Sequence, residues 1–198
     1  MNNYEYIIAS LPVLSQDVKP GEPSRDKLLD FIREQLSDKD NAVLDLLLRG
    51  HDESCLDEAF YKEALGSKDR FIREYFCFDL NLRNAKVRYL NHALGRPEMQ
   101  DIFWEPEGVF EELDAAERAL HTADILGRER ALDDLRWKKI SEIGLFDYFN
   151  LDTILGFVAR YQITRRWAVL DEEAGRELFR KLVEEVRGTF KGVEFNDK

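Results

Sequence analysis

The side chains that could do chemistry are few and scattered. The chain has three histidines and two cysteines. His51-Asp52 suggests the metal-binding dyad of a metal-dependent phosphohydrolase helix, but such a site needs an upstream histidine, and His51 is the first. His92 and His121 have no His or Cys at i+3 or i+4, the spacing by which one helix face offers two ligands to zinc. Repeated Glu-x-x-His pairs, which build di-iron bundles, are missing. Cys55 and Cys77 sit outside any CxxC and read as helix thiols of a reducing compartment. Ser10 and Ser141 have no His and Asp at a spacing that would make a nucleophile. No Gly-rich phosphate loop or nucleophile elbow occurs. The acidic pairs Asp133–Asp134 and Glu184–Glu185 lie in charge-rich runs that fit solvated helix faces better than acid–base work. The expectation is therefore no catalytic, cofactor-binding or metal-binding residue. An enzyme would need a site assembled from distant residues.

The charge balance narrows the partners. Net charge is −11, about −4 of it in the first hundred residues. A field of that sign repels phosphate backbones and anionic headgroups, so nucleic acid is not an expected partner. The locally basic sets Arg83, Lys86, Arg88 and Arg165, Arg166 fit solvated faces or helix–helix ion pairs. No apolar run reaches spanning length, so direct membrane insertion is not expected. The opening MNNYEYIIASLP lacks a basic leader start. Together these features suggest a cytoplasmic protein.

The elements that would position any site are helices. Charged residues make up 35% of the chain and apolar ones 44%, with only five prolines, a mixture suited to amphipathic helices. One rod is predicted from Asn150 to Gly188, roughly 54 Å if continuous. Ile154, Val158, Tyr161, Arg165, Ala168, Glu172, Gly175 and Phe179 follow one another at alternating spacings of four and three. Arg165 and Glu172 break its apolar seam. Either Arg165 reaches solvent and the helix restarts at Asp171, or the middle of the rod faces a polar partner. A second long helix opens at Ser67, buries Phe71, Tyr75, Phe78, Leu82, Ala85, Tyr89 and Ala93, and stops at Gly95-Arg96-Pro97.

Shorter helices fill in the remainder. One starts at Ser24 and ends near Ser37. The next is capped by Asp38 or Asp40, points Val43, Leu46 and Leu47 inward, and stops at Gly50. Another runs from Ser54 or Cys55 to Leu65. A helix carrying Val109, Leu113, Ala116, Leu120 and Ala123 stops at Gly127, and one from Glu129 to Ile143 ends at Gly144. The first apolar stretch, Tyr4 to Leu11, suits a strand or an irregular arm. The fold expected is all-α: an elongated helical bundle with two long helices and a short extended N-terminal arm. It forms a single domain over 1–198, or two lobes (1–95 and 108–198) joined by a Pro/aromatic linker at 96–107. In that linker Phe103 and Trp104 either plug onto a neighbouring helix or anchor a partner. With Arg165, Arg166 and Glu172 they form the candidate partner interface.

The N-terminal Tyr4-x-Tyr6-x-x-Ala9-Ser10-Leu11-Pro12 resembles the opening of a short bacterial family of uncharacterised proteins associated with V-type ATP synthases. LSDKDNAVLDLLL, YFCFDLNLRNAKVRYLNHALG and ILGFVARYQITRRWAVL fit the same resemblance. These stretches are also similar to the C-type subunit of V/A-type ATPases (the d-type subunit of vacuolar enzymes), the funnel-shaped piece between the proteolipid ring and the central shaft. That piece repeats an acidic-Asn-basic helix, matched here by Asp79, Asn81, Asn84 and Arg88, and ends on a long charged helix, matched by Ile154 to Val169. The chain is much shorter than the three-lobed funnel. The resemblance implies a non-catalytic stalk or coupling piece whose partners are other ATP synthase subunits, the central stalk and through it the proteolipid ring. It would lie peripheral to the inner membrane through that complex. A general helical adaptor unrelated to the ATPase is the alternative, and an enzyme with a dispersed site the second.

Overall fold

In a computed structural model, residues 3–16, 26–144, 148–169 and 180 are described. The fold is all-α, and no strand occurs among the described residues. Among the described residues eight α-helices follow in order: α1 (Tyr4–Ser10), α2 (Asp26–Gln35), α3 (Asp38–Arg49), α4 (Glu58–Leu65), α5 (Arg70–Ala93), α6 (Leu113–Leu120), α7 (Ile125–Ile143) and α8 (Leu151–Val169). The chain divides into two compact units. The first comprises Met1–Leu14 with Arg25–Ile163, and the second Ser15–Ser24 with Thr164–Lys198.

Within the first unit the hub is α5, which packs against α3, α4, α6 and α7. Its buried residues explain this. Of the expected stripe Phe71, Tyr75, Phe78, Leu82 and Ala85 are buried, whereas Tyr89 is half-buried and Ala93 exposed, and Ile72, Phe76, Leu80, Asn84 and Asn91 are buried as well. A helix apolar on more than one side must be covered on more than one side. Phe60 of α4 meets Phe76 edge-on, ring centroids 5.0 Å apart. On another side, Phe78, Leu82 and Ala85 share one core with Ala116, Ala119 and Leu120 of α6 and Leu132 of α7. Because α5 and α6 pack together, the 96–107 linker joins two helices of one unit. At the far end Arg70 donates to the Ile143 carbonyl of α7 (2.9 Å) and pairs with Asp152 of α8 (2.8 Å).

Several local expectations are corrected. The N-terminal segment is the helix α1, neither a strand nor an extended arm. A lone strand would leave its backbone groups unpaired, whereas a helix satisfies them locally. Ile7 is its buried residue, and the Tyr4 hydroxyl donates to Asp40 at 3.0 Å. The cap of α3 is Ser37, whose Oγ accepts from the Asp40 amide, and the buried positions are Asp40, Leu44 and Leu47 in place of Val43 and Leu46. Asp69, two residues beyond Ser67, caps α5 by accepting from Ile72 N–H at 2.9 Å. α4 starts at its own cap, Asp57, and Glu53–Cys55 form a separate 3-10 turn.

Gly127 ends no helix. It lies in the first turn of α7, where its amide donates to the capping Asp124 at 2.6 Å. Val109, 90% exposed, and Ala123 both fall outside α6. Gly95 does stop α5. It adopts φ +64, and its amide and that of Arg96 return to the His92 and Asn91 carbonyls (3.2 and 2.8 Å), a turn that favours glycine. The described helices include one of 24 residues and two of 19. Apart from residue 180, the predicted continuation of α8 through Asp171 to Gly188 lies outside the described residues, as does the Ser24 cap.

Candidate interaction site

The Asp79, Asn81, Asn84 and Arg88 series quoted for the resemblance turns out to brace α5. Asp79 accepts from the Tyr61 hydroxyl at 3.0 Å and from Arg136 Nε at 3.3 Å, and Arg136 reaches on to Asp133 at 3.2 Å. α4, α5 and α7 are thereby joined through one buried charge group. Burial, then the Asp79 charge, pushes the Tyr61 phenol far above its ordinary range. Burial pulls the Arg136 guanidinium down, but Asp79, Tyr75 and Asp133 outweigh it and hold it charged. Asn81 donates back to the Cys77 carbonyl.

Asn84 and Arg88 instead reach the 96–107 linker. Asn84, 1% exposed, donates to the Trp104 carbonyl at 2.8 Å. One turn on, Arg88 pairs with both Glu98 and Glu105. Buried Asn91 donates to the Glu98 and Gln100 carbonyls at 3.1 and 2.7 Å. The Arg83 guanidinium covers the Phe103 ring 3.9 Å from its centroid and donates to the Asp101 carbonyl. Successive turns in the C-terminal half of α5 thus grip the linker, which is a fixed strap along the helix.

Held this way, the strap displays a surface that residue-by-residue reading overlooked. From Pro97 to Glu117 the sequence has eight carboxylates and no cation, a signal a charge window would have caught. Between them Met99, Phe103, Val109 and Leu113 stand 54, 38, 90 and 39% exposed. Beside the strip α5 and α6 leave an open groove of about 720 Å³ whose lining includes Tyr89, Leu113, His92 and His121, with Glu98 and Glu117 set against Arg88 and Arg96. Its Tyr89 wall is fixed by the His121 ring edge-on at 5.3 Å and Arg128 above it at 5.1 Å. Lys139 holds Glu112 at 2.6 Å. Partial burial lowers the Lys139 pKa, but the hydrogen bond and charge of Glu112 outweigh this and raise it.

The other chemistry-bearing residues resolve into structure. Asp52, next to His51, caps the 3-10 turn by accepting from Ser54 N–H and Oγ, bonds that lower its pKa. Ser141 donates to the Trp137 carbonyl at 2.9 Å and accepts from Arg160 at 2.7 Å, in a cleft of about 280 Å³ whose described lining holds no histidine. His92 and His121 line one groove, yet no three His, Cys, Asp or Glu side chains gather as a metal group among the described residues. Cys55 and Cys77 are free and half-buried, and burial raises the Cys77 thiol.

Of the proposed interface residues, Phe103 and Trp104 belong to the first unit. Arg165 and Arg166, both at exposed positions of α8, belong to the second. Glu172 lies outside the described residues. No helix among the described residues is long and apolar enough to cross a membrane.

Residues 103–189 match a family model described as "Protein of unknown function (DUF2764)", just under half of the chain. The matched range begins at Phe103 and takes in Trp104, Arg165, Arg166 and Glu172. No curated protein and no solved structure matches the chain.

Proposed function

We propose that this chain is a non-catalytic coupling component of a V-type ATP synthase complex, contacting central-stalk subunits and, through them, the proteolipid ring from the cytoplasmic side. The observation that carries the reading is the strap at 96–107. It is clamped to α5 by Asn84, Arg88 and Asn91 while leaving Met99 and part of Phe103 exposed, with Val109 exposed just beyond it. A part that transmits force needs contact side chains on rigid elements, because slack in the mount would absorb the motion. The sequence resemblance supplies the identity of the machine.

The test is co-purification of the tagged full chain from its native cell at moderate salt. Recovery of rotor subunits supports the role, with Trp104→Ala and Arg165→Ala reducing assembly more than folding stability. Recovery of an unrelated set of proteins would instead establish a general helical adaptor. Full recovery with either substitution would remove that residue from the contact surface.

A further inference from the structure

The strip from Glu98 to Glu117 has unequal sides. Toward α5 and α7 its carboxylates are engaged: Glu98 and Glu105 on Arg88, and Glu112 on Lys139. Asp101, Glu107, Glu111, Asp114 and Glu117 are all exposed, and no ion pair holds them among the described residues. Exposed apolar side chains alternate with these five carboxylates, and the α5–α6 groove opens alongside with Glu117 on its wall.

We infer that this face is the docking site for a basic amphipathic helix of a partner protein, its apolar stripe in the α5–α6 groove and its Lys or Arg residues over the acidic strip. Dimensions agree. α6 has eight residues, about 12 Å of helix. Anchors at i, i+4 and i+7 of a bound helix span about 10 Å, the usual reach of helix-in-groove recognition. Charge chooses the occupant. A second copy of this chain carries the same −11 and would set like charges against each other. Phosphate backbones and anionic lipid surfaces are repelled for the same reason. A cationic helix gains on both counts, since its charges meet unneutralised carboxylates and its apolar face covers Leu113 and the exposed part of Tyr89. The inference rests on reading this strip as a partner surface and does not depend on which machine the partner belongs to.

The experiment uses the full chain and a fluorescent amphipathic helical peptide of about 14 Leu and Lys residues. Two controls accompany it: a scrambled peptide of the same composition and a Leu/Glu counterpart. Binding is followed by anisotropy at about 50 and about 300 mM salt, which brackets the range where the Debye length passes ~10 Å. The Leu/Lys helix should bind at least about tenfold tighter than either control and weaken with salt. Charge reversal of Glu107→Lys with Glu111→Lys and Glu117→Lys should weaken it about tenfold or more. Reversal of Asp30→Lys with Glu34→Lys and Asp134→Lys, exposed residues elsewhere with the same change in net charge, should weaken it much less. Circular dichroism on both triple variants checks that these surface changes leave the fold intact.

Equal losses in the two triple variants would mean the peptide responds only to the global field, and the site would be abandoned. Equal binding of the scrambled peptide, or no binding, has the same consequence. A chain that binds the peptide but recovers no rotor subunits loses the coupling role alone. One that recovers them yet ignores the peptide loses the docking site alone.

Discussion

Replacing Arg136 with methionine should be among the most damaging single changes available outside the apolar core. Arg136 pairs with Asp79 at 3.3 Å and Asp133 at 3.2 Å, and the two carboxylate side chains are only 13% and 4% exposed. Methionine fills much of the volume but removes the guanidinium that the two carboxylates share. Breaking a buried pair in this way costs about 3–5 kcal/mol, because the remaining charge keeps its desolvation penalty and loses its compensation. Arg136 itself is 21% exposed, so water can reach part of the vacated space, which argues for the lower end, about 3 kcal/mol. Against a whole-protein stability of about 5–15 kcal/mol, that is a large fraction.

The assay is urea denaturation followed by far-ultraviolet circular dichroism at neutral pH. A loss below about 1 kcal/mol would show that this charge group does not hold α5 to α7.

Three further outcomes follow from the packing. Gly50→Ala should lower stability by about 1–3 kcal/mol, because its Cβ would run into the Phe76 ring and approach Phe60 at 2.8 Å. The melting temperature should fall by roughly 2–4 °C per kcal/mol, and an unchanged melt would show that the rings swing aside. Asn91→Ala orphans the Glu98 and Gln100 carbonyls and should cost about 1–3 kcal/mol, with limited proteolysis cutting residues 96–107 sooner than in the parent; equal cleavage rates would mean the strap is held by other contacts. Above about pH 10 the unfolded Tyr61 releases its proton while the folded phenol keeps it, so stability should fall with rising alkalinity. Tyr61→Phe should flatten that decline, and an identical slope in the variant would assign it to other groups.

How much of this could be read from the chain depends on the range of the interaction involved. Helix stops at Gly50, Gly66, Gly95 and Gly144 were legible because a terminus is set by its own few residues. The caps were less so: Ser37 and Asp69 compete with acceptors one to three residues away, and the choice turns on which carboxylate is needed elsewhere. Asp40 illustrates this, accepting from Tyr4 across 36 residues and so serving α1 as well as its own helix. The α1 segment defeated pattern reading because YEYIIAS is too short for a period to decide between strand and helix. Only the lack of a pairing edge among the described residues settled it. The acidic strip could have been seen from charge alone, but its clamp could not: Asn84 and Asn91 carry no signature until the linker lies against them.

The sequence on its own determined the all-α class and the apolar stripe of α5. Helical period and cap chemistry act over a single turn, and both are written in adjacent residues. Tertiary structure decided that α5 is the hub, that Asp79, Arg136 and Tyr61 share one buried charge group, and that residues 96–107 form a strap with exposed carboxylates along it. Those arrangements depend on which faces meet, and a face is completed only by side chains distant along the chain.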